Sequence, residues 1–211
     1  MTMTDREKRI FTVVNRLVQK HVYRMPVDIE KLCRIYGAHL LPYSKAVEQS
    51  VLSWADIERM AGTRDGFTLD AGEEWAIVYN EKVSQTRMRF TFAEELMHRL
   101  LLHSQDDDFF AGHQTFSDET YGLYEGEAKR AAGMILVPPT VYYKYRQVYG
   151  HDQIAKLCKV SEACVYTVAK FYEEHEEEIR ELFTQKYIEC DTRDLIKKYP
   201  RRPIAVVGES L

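Results

Sequence analysis

The segment Arg89–His103, RFTFAEELMHRLLLH, decides how this chain is read. Phe90, Ala93, Met97, Leu100 and Leu101 recur at offsets of 3, 7, 10 and 11, which predicts the buried stripe of a helix capped by Ser84. Glu94 and His98 lie one turn apart beside that stripe, and Glu95 is turned about 100° from Glu94. In the motif H-E-x-x-H, two His at this spacing hold one metal ion and the Glu after the first is the general base. Here the second His is His98 and the base is Glu95, and Glu94 stands in the place of the first His. A surface Glu94–His98 pair on an amphipathic helix fits the same spacing.

Working outward, the flanks read as short elements around this helix. Thr4-x-x-Glu7 is a capping box for a helix ending near His21, and Asp28 caps a second helix that stops at Gly37. Ala38–Tyr43 is a strand candidate, and Val51–Met60 a helix ended by Gly62. Gly66–Leu69 and Trp75–Tyr79 flank Asp70-Ala71-Gly72 as a hairpin, the one small sheet expected. After a polar loop, Ser104–Ser117, containing Phe109 and Phe110, Ser117 caps a helix to Val137 with Ala128, Ala131, Ala132 and Ile135 on its small-residue face. Val141–Tyr149 reads as helical, Ser161 caps a long helix through about Lys186, a helical piece lies near Leu195, and a tail follows Pro200. The division expected is a domain over 1–150 and a helical C-terminal region over 151–211.

Composition sets the frame. The 211 residues are 45% apolar and 29% charged, ordinary for a soluble globular chain. The formal charge of −4 and pI near 6.0 argue against a general nucleic-acid binder. Four Cys without C-x-x-C spacing read as reduced thiols, the N-terminus lacks an apolar signal core, and no run approaches a membrane span, so a cytoplasmic protein is expected.

A metal on Glu94 and His98 needs a third ligand from elsewhere. Glu125 and Glu127 sit on the Ala-faced helix, and Glu125 is favoured because Ala128 and Ala132 follow it at offsets of 3 and 7. His103 and His113 read as a helix-end and a loop histidine.

Several separated stretches together resemble the ImmA/IrrE family of intracellular metallopeptidases. They are VDIEKLCRIYG (27–37), an Asp-capped helix ending in Gly, and WAIVYN (75–80), a strand ending in Asn ahead of the metal helix. RFTFAEELMHRLLLH matches R-F-T-x-A-H-E-x-x-H-x-L-L-H except at Glu94, and EGEAKRAAGMILVP (125–138) supplies a Glu about thirty residues on, opening a helix that ends in L-x-P. IAKLCKVSEACVYTVAKFY (154–172) resembles the segment after the family's peptidase core. The resemblance covers about two thirds of the chain. It implies an α+β, mostly helical, zincin-like domain with one small antiparallel or mixed sheet. It also implies His98 as second zinc ligand, Glu125 as third and Glu95 as base, with Glu94 in the position of the first ligand.

The chemistry of that substitution leaves three states. Glu94 ligates through its carboxylate, with preference shifted from zinc toward manganese or iron. Or no metal binds, and at least one of the crowded Glu94, Glu95 and Glu125 carries a raised pKa. Or the Glu94 substitution was introduced to inactivate the site. The resemblance implies a metal-dependent endopeptidase that cleaves a helix-turn-helix repressor, relieving repression in a mobile-element or stress regulon. The alternative is a pseudo-peptidase that regulates the same kind of partner by binding it. A third reading, DNA binding through Ile154, Ala155, Val160, Ser161 and Val165 at helix-turn-helix spacing, is opposed by the acidic run from Glu173 to Glu181.

Overall fold

Local signals start most of the helices. Thr4 and Glu7 close a capping box that opens α1 (Asp5–His21), and β1 (Arg24–Met25) follows. The Asp28 carboxylate accepts from the Lys31 amide and opens α2 (Ile29–Ile35), which the chain leaves through Gly37 at φ +84°, a left-handed conformation that suits glycine. Next come β2 (Ala38–Pro42), α3 (Tyr43–Glu48) and α4 (Trp54–Ala61). α4 starts three residues later than its apolar run suggests, because Ser53 and Asp56 form the capping box. β3 (Gly66–Ala71) and β4 (Glu74–Tyr79) lead into α5 (Gln85–Leu100), capped by Ser84 as expected. Then follow α6 (Asp118–Leu136), α7 (Pro139–Tyr145), α8 (His151–Cys158), α9 (Glu162–Glu174), α10 (Glu176–Leu182) and β5 (Glu189–Cys190).

This computed structural model describes residues 2–62, 64–71, 74–101, 118–183, 186–193 and 195. The expected loop Ser104–Ser117 with Phe109 and Phe110, His103, His113, the Ser117 cap and the tail beyond Pro200 lie outside them.

The hairpin is as expected, β3 antiparallel to β4, with pairing that runs out to Ala71 opposite Glu74. The sheet also takes β2 on the other side of β4, parallel, giving the order β2-β4-β3 and a mixed sheet. Its faces follow the period of two. Trp75 and Ile77 enter the main core, and Val78 joins Phe67, Tyr43, Ala46, Ile57 and Ala61 under α3 and α4. A second ladder was not expected: β1 pairs in parallel with β5, Arg24 opposite Glu189. Two residues per strand, separated by most of the chain, leave no local pattern to read.

The central layer is α5 packed along α6. Ala128, Ala131 and Ala132 are fully buried there, so the small-residue face brings the two helix backbones close. α5 is buried more widely than one stripe. Phe92 and Leu96 join Ala93, Met97 and Leu101 in the interior, whereas Phe90 and Leu100 are partly exposed. The long helix expected to run from Ser161 to about Lys186 is two helices. His175, buried with its ring 4.7 Å from Phe171, leaves helical geometry at φ −123°, and α10 restarts behind it. The helix expected over Val141–Tyr149 begins instead at Pro139, whose fixed φ and missing N–H suit a first turn. Ile154, Leu157, Val165 and Val168 belong to the same core as Met97 and Ala131, so the regions on either side of residue 150 share one interior.

Candidate functional site

β3 runs beside α5 in one direction, with matched contacts along both. Arg87 pairs with Asp65 near the start and Arg99 with Asp70 near the end. Twelve helical residues rise about 18 Å and five strand residues about 17 Å, so the two spacings agree. Gly66 makes the close approach possible, since an added Cβ would stand 2.6 Å from Thr91 Cγ2. Midway, Thr68 Oγ1 donates to Glu95 Oε2 at 2.8 Å, and Glu95 is only 6% exposed. The expected base is therefore held by the edge strand.

One step round α5, Glu94 and His98 point toward α6. His98 Nε2 is 3.5 Å from Glu125 Oε1, so two residues far apart in sequence meet across the helix pair. The Tyr121 hydroxyl also hydrogen-bonds Glu125. Glu127, the alternative third ligand, turns the other way and accepts from Arg6 Nε on α1 at 2.5 Å. Sequence reasoning missed Lys129. Its Nζ stands 3.0 Å from Glu125 Oε2 and 3.8 Å from Glu94 Oε1, bridging the two helices. The signal available was the i, i+4 spacing of Glu125 and Lys129. Thr68 carried no signal, being a strand residue 27 positions from its partner. A cavity of about 790 Å³ opens alongside between α5, α6 and α9, walled by Phe90, Met134, Val168 and Phe171 among others. Lys129 lines it, and Glu94, Glu95, His98 and Glu125 do not.

The two carboxylates are driven in opposite directions. Burial pushes the Glu94 carboxyl above its ordinary range, against the pull of Lys129. Glu125 is held down at about 2, by the His98 hydrogen bond first and the Lys129 ammonium after it, against its own burial. The signs follow by linkage. Glu94, raised in the fold, stabilises most below its ordinary value, and that contribution is lost as pH rises through its folded value. Glu125, lowered, stabilises above 4.5, and that contribution is lost as pH falls from 4.5 toward 2. Glu94→Gln should therefore raise the melting temperature at pH 7 by about 2–4 °C, the equivalent of roughly 1 kcal/mol in a chain this size. Glu125→Gln should lower it at pH 7 by a similar amount. Both differences should shrink in melts repeated near pH 3.

The zinc ion implied by the family resemblance can be tested against this donor set. Two carboxylates and an imidazole are chemically able to ligate a divalent ion. As placed, they do not fit one. Lys129 bridges the two carboxylates, and among the described residues no three His, Cys, Asp or Glu side chains converge to hold a metal.

The family model Peptidase_M78, IrrE N-terminal-like domain, matches residues 37–182. This chain belongs to that family. The match spans β2 through α10, and so includes both helices of the site. No curated protein matches the chain. Among solved structures, a Mycobacterium tuberculosis transcriptional regulator is similar at 16% identity with a TM-score of 0.50, over 78% of this chain and 46% of that one. The chain thus spans about half of that regulator's length, and the likeness is one of fold. Among the described residues, no helix of this family member is long and apolar enough to cross a membrane.

Proposed function

We propose that this family member is a peptidase-fold regulator that binds a helix-turn-helix transcriptional repressor and controls it by holding it. The observation that carries the reading is the state of the site. Glu125 is taken by His98 and Lys129, and Glu94 by Lys129, so the acids are ion-paired within the chain. The partner class is supported by the ImmA/IrrE resemblance and by the regulator among the structural neighbours. A docking mode is supported by topology: β3 is an edge strand that pairs only with β4 among the described residues, beside Glu95. An extended segment of the partner can add to that edge by main-chain hydrogen bonds.

Glu95 favours a second reading, cleavage. A buried, positioned carboxylate is suited to take a proton from water attacking a peptide carbonyl. DNA binding is disfavoured by charge. α8 and α9 do form a helix pair with Lys159 in the left-handed conformation at the turn, but α9 exposes Glu162, Glu173 and Glu174 beside Lys170.

The test is incubation of the chain with a purified helix-turn-helix repressor from the same organism, followed by size exclusion and intact-mass measurement. An intact complex with no new fragments is expected. A repressor cut at one bond would replace this reading with cleavage, and neither complex nor fragment would end both.

A further inference from the structure

The ionic contacts at the site have a consequence for what it can bind. Lys129 reaches Glu125 from one turn further along α6 and reaches Glu94 across the helix pair. We propose that Lys129 is the resident cation of this site. Its ammonium takes the place between the Glu94 and Glu125 carboxylates that a divalent metal ion held by α5 and α6 would need, and it makes the site metal-independent. This deepens the reading above and rests on it in treating the α5–α6 cluster as the functional site.

Three observations carry it. Without a cation, two carboxylates on adjacent, closely packed helices would face each other with only 12–14% of their side chains exposed. His98 reaches Glu125 alone of the two carboxylates, through one nitrogen at 3.5 Å, whereas the Lys129 ammonium stands nearer, 3.0 Å from Glu125, and also 3.8 Å from Glu94. Lys129 is tethered one turn away, so its effective concentration at the site is on the order of millimolar or higher, above that of free transition metals. The Lys129 side chain is half exposed, so it can swing out, and its removal opens the site more than it disturbs the core.

The experiment uses the full chain, stripped of metal and titrated separately with Mn(II) and Zn(II), with no repressor present, so it can fail independently of the partner reading. Calorimetry gives the affinity and thermal melts give the stabilisation. Wild type and Lys129→Arg should show no melting shift up to about 100 μM metal. Lys129→Met should bind one ion at least tenfold more tightly than wild type and gain melting temperature on adding it. Equal affinities in wild type and Lys129→Met, or no binding by either, would overturn the proposal. If Lys129→Met does not fold in chelator, refolding with Mn(II) becomes the readout: recovery supports the metal and the ammonium being interchangeable, and no recovery refutes it.

Discussion

Glu94→His combined with Lys129→Met should convert this chain into a zinc protein, with one equivalent bound roughly a thousandfold more tightly than by wild type. The expectation follows from the helix pair. His98 and Glu125 already meet across it, and an imidazole at 94 lies one turn from His98 on the same side of α5. Two imidazoles and one carboxylate leave the fourth zinc position open to water. Glu94→His alone should gain less, because Lys129 still pairs with Glu125 at 3.0 Å. Calorimetric titration of the three proteins reads the order directly. A double variant no better than wild type would mean that residue 94 does not face Glu125 in solution.

The second large effect is structural. Phe92→Ala should cost about 3–5 kcal/mol, a large part of the stability of an ordinary domain. Phe92 is 1% exposed, and its ring meets Tyr79 edge to face at 4.8 Å, pinning α5 to β4. Truncation removes the buried ring and leaves a cavity, and the two costs add. In a chain of this length the melting temperature should fall by roughly 6–20 °C. A drop of less than about 3 °C would mean that α5 is not anchored to the sheet in this way.

Glu94, Lys129 and Phe92 mark where sequence reading succeeds and where it stops. Caps are local, so Thr4, Asp28, Ser84 and Ser161 gave the starts of four helices. The period of α5 placed Glu94 with His98, and the alanines of α6 favoured Glu125 over Glu127; both facts are set within one helix. What joins the helices is not written locally. The bond from Thr68 to Glu95 depends on how β3 lies along α5, and the β1–β5 ladder joins segments from opposite ends of the chain. Phe92 was outside the expected stripe because a single-stripe pattern assumes one buried side, and α5 is covered by α6 on one side and by the sheet and α2 on others. Lys129 was visible only as an ordinary i, i+4 partner of Glu125. Its contact with Glu94 requires the close helix crossing that the alanines allow.

The most direct test is the metal content of the protein purified from cells without chelator, by elemental analysis against protein concentration. A site that carries its own ammonium should hold well under one tenth of an equivalent of zinc, manganese and iron together. One full equivalent of any of them, lost on Glu125→Gln, would contradict it.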